Sequence, residues 1–369
     1  MKSTIMTTPL AIQTLKSTYK FLQAPIIVSA PMRVFAGPDL AVATSRAGGL
    51  GFIGPGVKPT DLDSKLEKAR GLLEQSPVHH NSVSSQPSFS HTLPIGVGFQ
   101  LFDGDLNIAT STVRKYKPAA AWLFVPKMGQ SEVDQWTLEL REASPSTKIW
   151  LQIGSVAEAV AAAKSKHAPD VLVIQGIDAG GHGLRKGAGI VSLLPEVSDA
   201  LRNIGANIPL FGAGGIADGR GVAAVLGTGV AAGAVMGTRF LASKEADIKT
   251  DYQKDVLRVS DGGQSTLRTD LFDRLQERHD WPERYDGRAI INASVRDELA
   301  GLDFEENKRL FQSQQEDGSL GWGDDGRMTA YVGSAIGLVT SVESAQDIIE
   351  RAREDAKQAL RQAVAEFGN

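Results

Sequence analysis

Short apolar runs alternate with amphipathic segments along most of this chain of 369 residues. Runs that are apolar throughout indicate strands buried on both faces, as in a parallel sheet, whereas apolar residues at helical spacing indicate helices. The apolar runs predict strands at residues 26–29, 49–53, 94–98, 119–125, 148–152, 171–175, 209–213 and 232–236. Helices are predicted between them at 39–47, 61–74, 105–115, 130–142, 155–166, 190–203 and 218–228. This alternation predicts an α/β fold, a parallel (β/α)8 TIM barrel.

Two segments interrupt the alternation. Residues 76–92 are serine-rich and lack periodicity, which predicts a solvated loop; a metal site on its three histidines is the weaker alternative, because they lack acidic or suitably spaced partners. Residues 245–330 are dense in charge and follow the eighth strand, which predicts an inserted, mainly helical lobe over the top of the barrel. Residues 341–366 have helical spacing and are interpreted as the eighth barrel helix.

The chain is therefore divided into a barrel, residues 1–240 and 331–369, and a lobe, residues 241–330. With 42% hydrophobic and 22% charged residues and a net charge of −4, nothing favours binding to nucleic acid or to an anionic membrane. The lack of cysteine excludes disulfides, thiolate catalysis and cysteine-ligated metals. No apolar run approaches the roughly 20 residues that cross a bilayer, so a cytoplasmic protein is expected. A homo-oligomer is compatible with the sequence, which does not define the oligomeric state.

The candidate chemistry begins at the end of the sixth predicted strand, because TIM barrels build their sites at the carboxyl ends of strands. Gln175 ends this strand, and Gly180, Gly181 and His182 follow shortly after it. Glycines let a flat ligand approach the backbone closely, and an imidazole suits proton transfer near neutral pH. His182 is the candidate catalytic residue; the alternative is a surface histidine on a glycine turn.

The loops after the seventh and eighth strands are rich in glycine. In TIM barrels a phosphate is commonly bound there, by backbone N–H groups near a helix N-terminus. The alternative is a tight turn followed by a helix that Asp218 caps. The candidate phosphate-binding residues are Gly214, Gly215, Gly237 and Thr238, and the neighbouring Ala213 and Met236 are further candidate cofactor contacts.

The first strand ends in Ala30-Pro31-Met32, where the missing proline N–H frees the backbone of Met32 to face a planar ring. Gln100 and Gln175 end two other strands, and their amides suit the alternating donors and acceptors of a pyrimidine-like edge. For Gln100 a structural role is an equal alternative. Loops for a phosphate, backbone that can face a planar ring, amide side chains and an imidazole together describe a site for flavin mononucleotide (FMN). No Gly-x-Gly-x-x-Gly follows the first strand, so a tightly held dinucleotide is not implied.

These motifs resemble the nitronate monooxygenases, formerly called 2-nitropropane dioxygenases. The resemblance covers nearly the whole chain, and its motifs are Ala24–Met32, Ala47–Gly51, Gln175–Gly183, Ala213–Gly221, Met236–Phe240, Trp281-Pro282 and Asp286–Ala289. It implies a TIM barrel with non-covalent FMN and with His182 as the catalytic base. By the same resemblance, the flavin contacts are Met32, Gln175, Gly180, Gly215, Gly237 and Thr238.

The implied reaction oxidises an alkyl nitronate, and by extension a nitroalkane, with O2 to a carbonyl compound and nitrite. The alternative is an enoyl-thioester or related ene reductase that uses FMN and NAD(P)H on the same barrel. The sequence departs from the family pattern after the fourth strand, where Phe124-Val125-Pro126-Lys127 replaces Phe-Gly-x-Pro. Lys127 is expected to be a solvated loop lysine; pointing inward, it would favour an anionic substrate.

Overall fold

The computed structural model describes residues 8–56, 58–78, 92–317 and 321–368. Within these ranges the strands are β1 (Ile26–Ser29), β2 (Leu50–Ile53), β3 (Leu93–Gln100), β4 (Pro118–Phe124), β5 (Lys148–Ile153), β6 (Val171–Gln175), β7 (Gly181–Leu184), β8 (Leu210–Ala213), β9 (Ala231–Met236), β10 (Thr266–Thr269) and β11 (Tyr285–Ile290). Eight of them form a closed parallel barrel in the order β1-β2-β3-β4-β5-β6-β8-β9. The predicted TIM barrel is thus confirmed, and its strands are those that the apolar runs predict.

Helices surround the barrel and continue into the inserted region. They are α1 (Thr8–Thr18), α2 (Pro38–Arg46), α3 (Asp61–Gln75), α4 (Leu106–Tyr116), α5 (Gln130–Ala143), α6 (Val156–Lys164), α7 (Ile190–Asn203), α8 (Gly219–Gly227), α9 (Thr238–Leu241), α10 (Thr250–Arg258), α11 (Gly262–Ser265), α12 (Leu271–Leu275), α13 (Ala293–Leu299), α14 (Phe304–Asp317) and α15 (Ala345–Phe367). Helix α15 packs against α8 and α2 and so completes the ring of helices, as predicted for the eighth barrel helix.

Side-chain caps fix where two of these helices begin. The Ser155 hydroxyl accepts the Glu158 N–H at 3.3 Å, and the Glu158 carboxylate accepts the N–H of Gly154 at 2.9 Å. Asp218 accepts the N–H groups of Arg220 and Gly221 at the start of α8. These bonds satisfy backbone donors that have no partner within the helix, which is why such residues favour helix starts.

Large aromatic rings from several strands fill the barrel interior. The Phe52 ring lies 5.0 Å from that of Trp122 and 5.4 Å from that of Trp150, and the Phe211 ring lies 4.7 Å from that of Trp150. Glycines on neighbouring strands make room for them. A Cβ on Gly96 would lie 2.2 Å from the Phe52 ring, and a Cβ on Gly233 would lie 2.4 Å from that of Phe211. This packed layer closes the barrel beneath the carboxyl ends of the strands.

A three-stranded antiparallel sheet, in the order β10-β11-β7, stands outside the barrel. It joins the segment after β6 to the inserted lobe, because β7 pairs with β11 and Gly287 lies opposite His182. The alternative of a surface histidine on a glycine turn does not describe this segment, which is a paired strand, and the predicted lobe carries two strands besides its helices. The sequence Gly-His-Gly-Leu has little intrinsic strand preference, so pairing with a distant segment determines its conformation.

Apolar residues outside the barrel core form two further clusters. One contains Leu241, Tyr252 and Ile290 of the predicted lobe together with Val332 and Ile336, which follow it. The division of the chain at residues 240 and 330 remains a prediction. In the described residues, no helix is long and apolar enough to span a membrane. His79, His80 and His91 lie outside the described residues, and no metal-binding cluster of His, Cys, Asp and Glu is found within them.

We expect Tyr19→Phe to destabilise the barrel. The buried Tyr19 hydroxyl accepts the indole N–H of Trp150 at 2.9 Å, and its removal leaves that N–H buried without a partner. The expected loss of unfolding free energy is about 1–3 kcal/mol, measured by urea denaturation. The control is Tyr116→Phe, because the Tyr116 hydroxyl donates at 2.9 Å to Glu67, whose side chain is 50% exposed. Equal losses in the two variants would contradict the role of the buried bond.

Candidate active site

A cavity of about 760 Å³ opens at the carboxyl ends of the barrel strands and extends beneath the lobe. This volume lies within the usual range for pockets that bind small molecules and cofactors. The sequence-predicted residues that line it are Ala30, Pro31, Met32, Gln100, Gln175, Gly180, Gly181, His182, Ala213, Gly214, Gly215, Gly237 and Thr238. The fold thus brings together candidates from five different strand ends.

Two residues near the ends of β1 and β9, Met236 and Met32, differ from the prediction. Met236 does not line the cavity: its side chain is fully buried, and its carbonyl accepts the Ala30 N–H at 3.0 Å. The backbone of Met32 is not free to face a ligand either. Its N–H donates to the Ala30 carbonyl at 2.8 Å, and its own carbonyl accepts the Ala36 N–H at 3.0 Å. Proline does end the strand here, but the chain then closes a turn, so Met32 presents its side chain.

The glycine loops after β8 and β9 form one end of the cavity. Gly214 and Gly215 have φ of +98° and +73°, a region that side chains disfavour. A Cβ on Gly214 would lie 2.8 Å from the Gly176 carbonyl. The Thr238 hydroxyl accepts the Gly333 N–H at 2.9 Å, which leaves its own proton available to an acceptor in the cavity.

The start of α8 contributes less to this end than the sequence suggested. Asp218 accepts the N–H groups of Arg220 and Gly221, and its carboxylate also pairs with the Arg220 side chain at 2.5 Å. The partial positive charge of this helix N-terminus, which would attract an anion, is therefore already compensated by the Asp218 carboxylate. An anion here would be held by the two loops rather than by the helix.

Three amide side chains line the cavity from strand ends: Gln100 from β3, Gln152 from β5 and Gln175 from β6. The Gln175 amide donates to the His182 carbonyl at 3.3 Å, and the Gln152 carbonyl oxygen accepts the Trp122 indole N–H at the same distance. Gln152 is not among the residues predicted from the sequence. It has the same signal as the other two, a polar amide at the end of an apolar strand.

His182 is paired with a carboxylate of the lobe. Its Nε2 lies 2.8 Å from the Asp273 Oδ2, and their side chains are only 10% and 8% exposed. Burial lowers the pKa of His182, although the hydrogen bond and charge of Asp273 act in the opposite direction. A neutral imidazole that donates from Nε2 to Asp273 keeps a lone pair on Nδ1. This arrangement suits a base at neutral pH.

Aromatic rings enclose the imidazole. The Trp281 indole stacks on it with ring centroids 3.5 Å apart and an angle of 4°, and the Tyr331 ring lies 5.2 Å away. Phe102 packs near Trp281, with centroids 4.5 Å apart. These contacts exclude water from the imidazole faces and fix the orientation of the ring.

Asp273 and the contacts of Trp281 and Tyr331 with His182 had no local signal in the sequence. Asp273 is 91 residues from His182 in the sequence. The sheet that brings their segments together pairs two strands, β7 and β11, that are similarly far apart along the chain. Lys127 is exposed and does not line the cavity, in keeping with the expected loop lysine. Its N–H donates to the Glu132 carboxylate at 2.6 Å.

Comparison with known proteins identifies the relatives of this chain. The family model for nitronate monooxygenase matches residues 16–355. The chain is 50% identical to nitronate monooxygenase npaC of Metarhizium robertsii over 354 residues, which cover 96% of this chain and 97% of the relative. It is 36% identical to a nitronate monooxygenase of Neurospora crassa over 378 residues, with coverage of 96% and 95%.

Among solved structures, the fold is similar to that of FabK from Thermotoga maritima. The TM-score is 0.72 at 23% identity, with 99% of this chain and 100% of that chain covered. At this identity the likeness concerns the fold alone. The match of the family model and the identity to the two fungal proteins decide the relationship: this chain belongs to the nitronate monooxygenase family, a family of flavin-dependent oxidoreductases.

Proposed function

We propose that this protein is an FMN-dependent nitronate monooxygenase, which oxidises alkyl nitronates, and nitroalkanes after deprotonation, with O2 to a carbonyl compound and nitrite. The observation that carries the proposal is His182, which lines a cavity that also contains a glycine cradle and whose Nε2 lies 2.8 Å from the buried carboxylate of Asp273. The two fungal relatives named as nitronate monooxygenases support the same substrate class.

The residues of the cavity fit FMN. Gly214, Gly215 and Gly237 have no side chains to block a phosphate, and the Thr238 hydroxyl retains a proton to donate to it. The amides at the strand ends can pair with the polar edge of the ring, and the side chain of Met32 would pack against it. When bound, the flavin supplies the electron transfer and the reaction with O2.

The imidazole would handle the proton. Nδ1 of His182 would take the α-proton of a neutral nitroalkane, and the carboxylate of Asp273 would stabilise the imidazolium that forms. Trp281 and Tyr331 cover the imidazole and limit its contact with water, which strengthens these interactions. A preformed nitronate has already lost this proton, so it depends less on the base.

The decisive test mixes the purified, flavin-loaded enzyme anaerobically with a nitronate or with NAD(P)H. We expect the nitronate alone to bleach the flavin absorbance, and air to restore it with release of nitrite. NAD(P)H alone is expected to leave the absorbance unchanged. Bleaching by NAD(P)H and not by nitronate would contradict the proposal and favour the ene reductase.

The cradle can be tested by Gly214→Ala. The added Cβ would meet the Gly176 carbonyl at 2.8 Å in a backbone of φ +98°, so the loop must shift. We expect the variant to fold and to bind FMN at least about tenfold more weakly, measured by fluorescence titration of the apoprotein. Gly205→Ala is the control, since φ there is +71° but no atom lies within 4 Å of the added Cβ. Similar FMN affinity in both variants would argue against the cradle.

The role of the base predicts a dependence on pH. The neutral imidazole is the active form, so kcat/KM for a nitroalkane should rise with pH through the pKa of His182 and then level off. Because burial lowers that pKa, the plateau should extend below the ordinary histidine value of about 6.5. Preformed nitronate should show little of this dependence.

Asp273→Asn removes the charge that raises the pKa of His182. The inflection for nitroalkanes should therefore move to lower pH, and the plateau should fall at least about tenfold because the imidazolium loses its partner. His182→Ala should retain FMN and lose about 10²-fold or more with nitroalkanes. Equal losses for nitroalkane and nitronate in both variants would contradict proton abstraction by His182.

A further inference from the structure

Among the described residues that line the cavity, positively charged side chains outnumber negatively charged ones. In the described part of the chain, these are Arg33, Lys249 and Arg278 on the positive side and Asp247 on the negative side. Arg33 has a partner outside this set, Asp103, with an N–O distance of 3.7 Å. Among the described residues, no carboxylate oxygen lies within 4 Å of the Arg278 guanidinium nitrogens. Arg278 thus brings to the cavity wall a positive charge that has no ion-pair contact among the described residues, although the carboxylates of Asp103 and Asp280 act on the same cluster of charges.

This charge lies close to Arg33 and to the base. Burial and the charge of Arg278 both lower the pKa of Arg33, and Arg278 is also one of the cations that lower the pKa of His182. Two guanidinium groups that repel each other across a cavity wall are stabilised when an anion binds between them. The carboxylates of Asp103 and Asp280 offset part of this repulsion, and an anionic ligand would relieve more of it, whereas a neutral ligand would not.

The backbone holds Arg278 in the same short segment as the partners of His182. Its N–H donates to the Asp273 carbonyl at 2.8 Å, and its guanidinium carbon lies 5.5 Å from the centre of the Trp281 ring. That indole is the one stacked on His182. Its N–H is buried without a hydrogen-bond partner among the described residues.

We propose that Arg278 is a specificity-determining residue that binds the negatively charged nitronate group and favours the nitronate over the neutral nitroalkane. A nitronate shares its charge between two oxygens, a geometry that matches the planar fork of a guanidinium. A nitro group has the same two oxygens without the net charge, so the charge-assisted part of the interaction is lost. This inference rests on the proposed function and names the form of substrate that the site prefers.

The experiment compares the flavin-loaded wild type with Arg278→Gln, which removes the charge, and Arg278→Lys, which keeps it without the fork. Nitrate serves as an unreactive planar anion whose affinity is measured by isothermal titration calorimetry. The substrates are nitropropane and its nitronate, neither of which carries another charged group. Arg284→Gln is the matched control, because Arg284 is paired with Glu158 at 3.0 Å and does not line the cavity.

For Arg278→Gln we expect nitrate affinity to fall and the KM for the nitronate to rise by about 10-fold to 100-fold. For the neutral nitropropane, KM should change by less than about threefold, and Arg278→Lys should lie between the wild type and the glutamine variant. Arg284→Gln should resemble the wild type in all three measurements. Circular dichroism and flavin content verify that each variant is folded and loaded.

Three results would overturn the proposal: no nitrate binding to the wild type, unchanged nitrate affinity in Arg278→Gln, or equal losses for both substrate forms. A failure of the proposed function has a different signature. In that case the wild type would not oxidise the nitronate, while nitrate affinity would still depend on Arg278. The anion site would then stand, with an anionic substrate of another class.

Discussion

The candidate site depends on the antiparallel pairing of β7 with β11. This pairing attaches the segment after β6 to the lobe and places His182 opposite Gly287. Because backbone groups make the ladder, the strand tolerates the glycines on both sides of the histidine. A Cβ on Gly287 would lie 2.5 Å from the Tyr331 ring, so this glycine also makes room for a wall of the site. Without the pairing, the imidazole and its carboxylate would belong to separate parts of the fold.

A buried ion pair strengthens the same ladder. Arg268 lies 2.5 Å from Asp286, and both side chains are only 10% exposed. The Arg268 guanidinium also donates to the Gly183 carbonyl at 2.9 Å, next to His182. Removing a partner from such a pair leaves a buried charge uncompensated, which is far more costly than losing an exposed pair. The pair therefore supports the pairing of β7 with β11, on which the position of the imidazole depends.

The sequence was most informative where local pattern and fold coincide. Apolar runs predict the barrel strands, and the residues that end those strands predict most of one wall of the cavity. Gln152 follows the same rule and was predictable. Asp273 was not, because nothing within a few residues distinguishes it from the other carboxylates of a charge-dense segment. The strand Gly181–Leu184 was hidden for a related reason: its conformation is determined by a partner about 100 residues away.

Asp273 and Arg278 act on the base in opposite directions, and this opposition suits the proposed chemistry. On the two proposals together, a nitroalkane bound between His182 and Arg278 would lie, with the neutral imidazole, between a carboxylate and a guanidinium before proton transfer. After transfer the order becomes carboxylate, imidazolium, nitronate and guanidinium, so each charge has an opposite neighbour. Around the imidazole, which aromatic rings cover, charges interact more strongly than in bulk water, so such an arrangement would favour the transferred state more than it would in solvent. The same two lobe residues would thus assist both the loss of the proton and the retention of the anion that it leaves.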